Sequence, residues 1–526
     1  MPDPTIHHRR WWILAVLIVS LLTVNLDNTI LNVALPTLAR DLHADTSQLQ
    51  WMVDGYVLLF AGLLLAAGAL GDRFGRRRVM LIGLIIFGTG SLASAFAPSA
   101  EALILLRAAM GIGGALIVPS TLSVTANVFT MEERPKAIGI WTGVSGLGIV
   151  AGPVLAGWLL EHFAWGSIFL INVPIVLVSI VGSLALVPEG RSPDAAKLDG
   201  PGIALSICGL VAFVYGVIEA PANGWTAPFE LALFAAAALL LVGFVVRELT
   251  ASEPLLDVRL LAQPDFGSAV LAVLLTSFGL FGSMFFFSQY LQGVLSFGTM
   301  ETGYSILPLA IAMAVFSPGG MAVAKRLGAR TTVSSGMTAV AIGLLILRLA
   351  GTHDGYPFVA VVLFLVGGGM GFAMSPLTVI MIRALPRSKQ GVASAINSTA
   401  RELGGALGVA ILGSLSAPIY AAGVRPATAL LPTDAGTAVH DSLAGAGLVA
   451  SHLPPTQGEA LLALARSAFV DGMIVAVTVG ALVAIAGAIV AFAFLPGRDE
   501  RARDEEPRPV ILDQAQATSA GLPEVA

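Results

Sequence analysis

The sequence predicts an all-α integral membrane protein of fourteen transmembrane helices, arranged as two six-helix bundles plus two inserted helices. Three observations carry this. Of the 526 residues, 56% are hydrophobic and only 12% are charged, against about 25% charged in soluble domains. Apolar stretches of about 20 residues, the length that crosses a bilayer, recur along almost the whole chain. A loop motif is repeated: "GALGDRFGRRRVML" from Gly68 and "MAVAKRLGARTTVS" from Met321 align Arg73 with Arg326, Gly75 with Gly328 and Arg77 with Arg330. Two halves of shared ancestry follow, and an inserted pair of spans keeps both in one orientation.

The spans follow in order. The first, 11–35, comes after His7, His8, Arg9 and Arg10; its apolar run is too long for a signal peptide, so it is expected to remain as an uncleaved span. Spans at 49–70, 79–97, 102–127, 136–160 and 166–187 complete an amino-terminal bundle, residues 1–187. Residues 188–260 hold the inserted pair, 200–219 and 229–247. The second bundle, 261–497, contains 266–290, 302–323, 331–350, 357–382, 390–416 and 468–495. Between its last two spans lies an Ala/Gly/Pro-rich segment, 417–467, read as a long extracellular loop with room for some helix and no chemical motif. The tail, 498–526, is mixed in charge and poor in apolar residues, the composition of disorder.

Orientation follows from Lys and Arg, which accumulate on the cytoplasmic side. With the amino terminus inside, 22 of the 28 fall in cytoplasmic segments. Both termini are then cytoplasmic and the protein is multi-pass in the cell inner (plasma) membrane.

Composition also excludes functions. Net charge is −5 and the basic residues are dispersed among loops, so no face suits nucleic acid. The single cysteine, Cys208, offers neither a disulfide nor a thiolate metal site and reads as a buried small hydrophobe. No nucleophile–base pair, metal cluster or phosphate loop appears, which argues against an enzyme and implies no cofactor.

The chemistry sits on charges inside the spans. A charge near the bilayer centre costs about 2.5 to 3.5 kcal/mol, so Asp27 in "NLDNTILNVALP" is a functional candidate. At 1.5 Å per residue it lies roughly 12 Å below the outer end of its span, Asp54 roughly 8 Å below that of the second, and Arg107 roughly 8 Å into the fourth. Opposite charges at one depth can pair, and the carboxylate's proton affinity then depends on its distance from the arginine. Two readings fit: a proton-coupling pair, or a permanent bridge gluing helices. Asp54, nearer the interface and cheaper to solvate, reads as either a functional carboxylate or an interfacial one.

In "GALGDRFGRRR", Gly68, Gly71 and Gly75 permit close backbone approach, while Asp72, with Arg73 and Arg76 beside it, can sit against the amino-terminal end of another helix. Such a contact would latch one conformation; Lys325 replaces Asp72 in the second copy. Arg77 and Arg78 read as a topology signal. Span five sets Gly148, Gly152 and Gly157 around Pro153, the composition of a bent, closely packed gating helix. In span thirteen, "NSTARELGGALG" holds Asn397, Arg401 and Glu402. The last two are about 100° apart on the helix, so one is expected to face a cavity while the other pairs elsewhere. The aromatic run ending in Gln289 and Tyr290 reads as a substrate-pocket wall or a lipid-facing stripe.

Taken in order, these motifs resemble the major facilitator superfamily, specifically its fourteen-helix drug/proton antiporter branch. "LDNTILNVALP" resembles the branch signature, "GALGDRFGRRR" the superfamily loop, "LILLRAAMGIGG" the arginine-bearing motif and "GIVAGPVLAG" the antiporter motif; "SIFLINVP" and "NSTARELGGALG" add to it. The resemblance implies alternating access between two bundles and the exchange of protons for small amphiphilic compounds, cations among them; the partners expected are that substrate, protons and the lipid bilayer, with the protein a monomer. It assigns Asp27 and Arg107 to proton coupling and Asp54 to cation binding. One departure stands out: Trp165, Gly166 and Ser167 occupy the place where the branch commonly has Trp-Arg-Trp. A dedicated exporter of one metabolite or lipid is the alternative; uptake fits the glycine–proline motif poorly.

Overall fold

A computed structural model of the chain describes residues 4–497 apart from 43, 45, 131, 191–198, 252–257, 353–354 and 386–389. The tail at 498–526 and the side chains of Asp54 and Pro153 lie outside the described residues. In the first half the helices are α1 (Pro4–Asp41), α2 (Thr46–Phe74), α3 (Arg76–Ser94), α4 (Ala100–Val128), α5 (Arg134–His162), and a crossing split into α6 (Ser167–Leu170) and α7 (Asn172–Leu186). The inserted pair is α8 (Gly200–Asn223) and α9 (Pro228–Thr250). The second half begins with α10 (Pro264–Gln289), which runs into a π-helical turn at Tyr290–Val294. It continues with α11 (Thr299–Ser305), α12 (Leu307–Leu327), α13 (Ala329–Leu347), α14 (Tyr356–Ala384), α15 (Gln390–Thr428), α16 (Thr433–Asp441), α17 (Leu443–Ala450) and α18 (Pro455–Phe494).

Among the described residues, 13 helices are long and apolar enough to cross a membrane, with spans of 19 to 40 residues, and α5, with 29 residues, falls within that range. The total is compatible with fourteen crossings. No water reaches backbone groups in a bilayer, so a helix that satisfies its own hydrogen bonds is the form these apolar runs must take. Large apolar side chains such as Ile85, Leu105, Val181, Leu239 and Ile489 remain exposed on the outer faces, at 52 to 74%, which suits contact with lipid.

The sequence repeat reappears as backbone geometry. Gly75, between α2 and α3, and Gly328, between α12 and α13, both take positive φ, 106° and 88°, a conformation that side chains with a Cβ disfavour. The helices that follow also pack alike. A Cβ on Gly83 of α3 would stand 2.7 Å from the Gly113 carbonyl of α4, and one on Gly336 of α13 would stand 2.6 Å from the Gly369 carbonyl of α14. Small residues let membrane helices touch backbone to backbone, which is where dispersion attraction replaces the missing hydrophobic drive.

The structure departs from the sequence reading in two places. Residues 417–467 hold far more helix than a loop would: α15 and α18, of 39 and 40 residues, each reach about 60 Å, twice the hydrocarbon thickness of about 30 Å. With α16 and α17 between them, their ends form a helical cap. Pro418 and Pro426 lie inside α15, so prolines that suggested a break are accommodated in an alanine-rich helix. The cap is tied down where Tyr420 donates to the Val439 carbonyl at 3.0 Å and Arg466 Nε to the Gly293 carbonyl at 3.0 Å. Cys208 is exposed, not buried, because it falls on an outward face of α8. The inserted pair packs into the body of the protein: α8 lies on both α2 and α15, and Trp225 Nε1, just beyond it, donates to Ser414 Oγ of α15 at 2.8 Å.

At the sixth crossing, a Cβ on Gly166 would overlap the Ala95 carbonyl. The backbone approach there leaves no room for the arginine usual at this position.

Candidate functional site

Asp27 of α1 and Arg107 of α4 form an ion pair in which the side chains are 2% and 1% exposed. Asn172, the first residue of α7, donates through Nδ2 to Asp27 Oδ1 at 3.0 Å and to Ser91 Oγ at 3.2 Å; Ser91 in turn donates to the Phe169 carbonyl at 2.8 Å. Arg107 Nε donates to the Met52 carbonyl at 3.1 Å, and the guanidinium carbon lies 4.5 Å from the centre of the Tyr56 ring. Five crossings thus converge on one carboxylate. A desolvated pair with its remaining hydrogen-bonding capacity filled is tolerable; removing one partner of such a pair costs about 3 to 5 kcal/mol.

A central cavity of about 120 Å³ lies between the halves. The first half supplies Asn25, Asn28 and Thr29 from α1 with Trp141 and Thr142 from α5. The second supplies Phe281 of α10, Met313 of α12, Met370 and Met374 of α14, and Asn397, Arg401 and Glu402 of α15. One wall is therefore amide and hydroxyl, the other thioether and aromatic, with one pair of opposite charges. Asp27 does not line this space. Adjacent residues on a helix point about 100° apart, so α1 presents Asn28 to the cavity and Asp27 to the bundle interior.

Arg401 and Glu402 do not divide as the sequence suggested. Both line the cavity, 18% and 21% exposed, with Arg401 NH2 3.6 Å from Glu402 Oε1; their long side chains bend toward one space despite diverging at the backbone. Asn397 Oδ1 accepts from Thr378 Oγ1 at 3.3 Å. Gln289 and Tyr290 stand apart from the cavity: Gln289 Nε2 donates to the Phe285 carbonyl at 3.3 Å, and the buried Tyr290 hydroxyl donates to the Gly351 carbonyl at 2.7 Å. They sit at the end of α10, past the cavity's depth, and of the aromatic run only Phe281 and Leu280 reach it.

The glycines of α5 meet α1 beside both sites. A Cβ on Gly148 would lie 2.7 Å from Asn25 Cβ, and one on Gly152 would overlap Thr29 Oγ1. Thr29 Oγ1 is directed at the Gly148 carbonyl, 3.2 Å away. Gly157 is half-buried, farther along the same helix.

At the end of the bundle where α1 begins, the halves are joined directly. Asp72 holds Arg76 through Oδ1, at 2.7 Å from NH2 and 3.0 Å from Nε. Its Oδ2 accepts from the backbone N–H of Val392, in the first turn of α15, at 3.2 Å. An anionic side chain against a helix amino terminus gains from both the free N–H groups and the dipole. Ser394 Oγ donates to the Pro119 carbonyl at 2.9 Å and Ser317 Oγ to the Gly139 carbonyl at 2.9 Å, closing the same end. Gly68 and Gly71 are buried in the approach of α2 and Arg73 is half-buried. Arg77 and Arg78 each lie 3.6 Å from Glu189.

Reading the sequence for charges missed Asn172, Ser91 and the ring of Tyr56. It also missed Asn25, Asn28 and the methionines of the cavity. The polar residues carried a signal, an amide or hydroxyl within an apolar run; the methionines carried none.

Comparison with known proteins gives a consistent frame. A family model, the Major Facilitator Superfamily, matches residues 17–409. "Multidrug efflux pump LfrA" of Mycolicibacterium smegmatis is 38% identical over 494 residues, 92% of this chain and 96% of its own. "Tetracenomycin C resistance and export protein" of Streptomyces glaucescens is 34% identical, over 97% of this chain and 96% of its own. "Methyl viologen resistance protein SmvA" of Salmonella typhimurium is 34% identical, over 88% and 93%. Among solved structures, a bacterial homolog of the human lysosomal transporter Spinster, inward-facing and unoccupied, superposes with a TM-score of 0.58 at 18% identity, covering 94% of this chain and 98% of that one. That likeness speaks to the fold alone.

Proposed function

The chain belongs to the Major Facilitator Superfamily, and from that premise we propose that it exports small amphiphilic compounds, cations among them, in exchange for protons. Export is supported by the relatives, whose names are those of efflux and resistance proteins. Proton coupling rests on one observation: an enclosed carboxylate, Asp27, lies one helix face away from a cavity that both halves build.

The cycle follows from charge balance. Protonating Asp27 removes the charge that Arg107 balances, and the α1–α4 contact loses its electrostatic half. Helix α1 is then free to shift against α4 and α7. Its other face carries Asn25 and Asn28 into the cavity and Thr29 against α5, so the shift reaches the substrate wall and the gating helix together. Asp72, clasping the first turn of α15, holds the end that carries the start of α1 closed while Asp27 and Arg107 are paired. Topologically this end is cytoplasmic, the protein works as a monomer in the inner (plasma) membrane, and Asp54 is a further cation-binding group.

The driving force is adequate. One proton crossing about 100 mV supplies about 2.3 kcal/mol and each pH unit about 1.4, together enough to concentrate a neutral compound several hundred-fold. A monocation leaving against the same potential needs more than one proton, and Glu402 in the cavity is the second carboxylate available.

The experiment is dye efflux in inverted vesicles with an imposed pH gradient, wild type against Asp27→Asn. The variant should keep dye binding and downhill leak while losing gradient-driven accumulation. Unchanged accumulation would remove Asp27 from the coupling role.

A further inference from the structure

We infer that Arg401 docks an anionic group of the substrate, so that the cavity takes amphoteric amphiphiles: a flat aromatic body with a cationic group at one edge and a carboxylate or phenolate at another. This deepens the export reading and rests on it for the identity of the site.

Among the described residues, Arg401 is the only cation lining the cavity. Arg107 faces away from it and is taken by Asp27, the Met52 carbonyl and the Tyr56 ring. Arg401 is not saturated in the same way. Its nearest carboxylate oxygen, on Glu402, stands at 3.6 Å, beyond the roughly 2.7 to 2.9 Å usual for a charge-assisted hydrogen bond. Its Nε is buried and has no hydrogen-bond partner. Because the two residues are consecutive on α15, their backbones diverge by about 100°, and the planar fork of the guanidinium cannot be met in a bidentate manner by that neighbour. A buried donor left without an acceptor is costly, and the residue that carries it lines the cavity.

The remaining walls define the rest of the ligand. Met313, Met370 and Met374 are polarizable thioethers suited to the edges and faces of aromatic rings, and they stand across the space from Asn25 and Asn28. Glu402 takes the positive edge. A ligand of both signs thus separates the Arg401–Glu402 pair and gives each member a partner. A purely cationic ligand pairs Glu402 but leaves Arg401 repelling it at close range, so charge pattern, not hydrophobicity, sets the preference.

Rhodamine B and its ethyl ester test this. The two share one xanthene cation and differ only in whether the carboxylate is free. Fluorescence titration of the purified full-length protein in detergent, without any gradient, should give the free acid at least ten-fold tighter binding than the ester. Arg401→Gln should bring the two within two-fold of each other by weakening the acid alone, Arg401→Lys should keep part of the preference, and Glu402→Gln should weaken both dyes. A wild-type preference below two-fold, failure of the wild type to bind either dye, or an unchanged preference in Arg401→Gln of normal thermal stability would overturn the inference. Since binding is read without a gradient, a failure here leaves the Asp27 coupling experiment intact, and failure of that experiment leaves this one to be judged by itself.

Discussion

Replacing Val392 by proline deletes the backbone N–H that Asp72 accepts across the two halves while leaving the Asp72–Arg76 pair in place. Proline is tolerated in the first turn of a helix, where N–H groups lack an intrahelical acceptor, and α15 begins at Gln390. The lost contact is a hydrogen bond of 3.2 Å to a buried carboxylate. Bonds to charged groups contribute about 1.5 to 3 kcal/mol, equivalent to about a 10- to 150-fold change in the ratio of joined to parted halves. Val392→Ala is the control, since it trims the side chain and keeps the donor. The readout is the alkylation rate of Asn397→Cys, about one and a half turns deeper on α15, by a membrane-impermeant maleimide applied to inverted vesicles. A Cys208→Ala background is needed because the native thiol is exposed. The proline variant should react at least ten times faster than the control. Equal rates in the two variants would show that the Asp72 contact does not hold this end shut.

Two further outcomes follow from local geometry. Gly152→Ala places a methyl on Thr29 Oγ1, an overpacking that costs about 1 to 3 kcal/mol; thermal unfolding in detergent should show the loss, with Thr29→Ala restoring part of it, and an undiminished melting point would mean that α5 rides farther from α1 than described. At the start of α8, the Arg247 guanidinium, donating at 2.9 and 3.2 Å, holds the Asp199 carboxyl below the usual carboxylate range. A depressed acid binds protons less readily folded than unfolded, so its stabilisation is complete above the ordinary value of about 3.9 and fades as pH falls below it. The stability gap between wild type and Arg247→Gln should therefore be flat from about pH 5 to 7 and close toward pH 3; a gap that widens on acidification would contradict the pairing.

How much of this was legible in the sequence depended on whether one residue carried the signal or several. Asp27, Arg107 and Asp72 are charges in or beside apolar runs, and the insertion cost alone makes them conspicuous. Gly75 and Gly328 stood out as a repeat, and both prove to occupy the same left-handed turn. Arg401 and Glu402 were conspicuous too, but the backbone angle between neighbours misled, since long side chains can bend back onto one space. The cavity's other wall was illegible. Met313, Met370 and Met374 are unremarkable in membrane helices, and only the meeting of α12 and α14 with α5 and α10 around one void gives them a role. The cap between α15 and α18 was hidden for a different reason: prolines count as breakers in sequence, while Pro418 and Pro426 are carried within a single 39-residue helix.

The proposed coupling requires no long relay, because α1 is at once the wall of the cavity and the holder of the carboxylate. Asn28 follows Asp27 directly, with a rise of about 1.5 Å, and a hydrogen-bonded helix turns as a unit. Any rotation that separates Asp27 from Arg107 must also carry Asn25 and Asn28 around the cavity and press Thr29 on Gly148 and Gly152. The energies are commensurate. Protonation at a gradient of 100 mV and one pH unit is worth about 3.7 kcal/mol in total, while the Asp72 contact with α15 contributes about 1.5 to 3. A two-state molecule whose states differ by a few kcal/mol is swung by a ligand with that much differential affinity, and a single proton meets the requirement. A far stronger latch would leave the cycle stalled with its closed end shut, whereas a far weaker one would let protons and substrate slip independently. On this reasoning the contact between Asp72 and Val392 must stay as modest as one hydrogen bond at 3.2 Å.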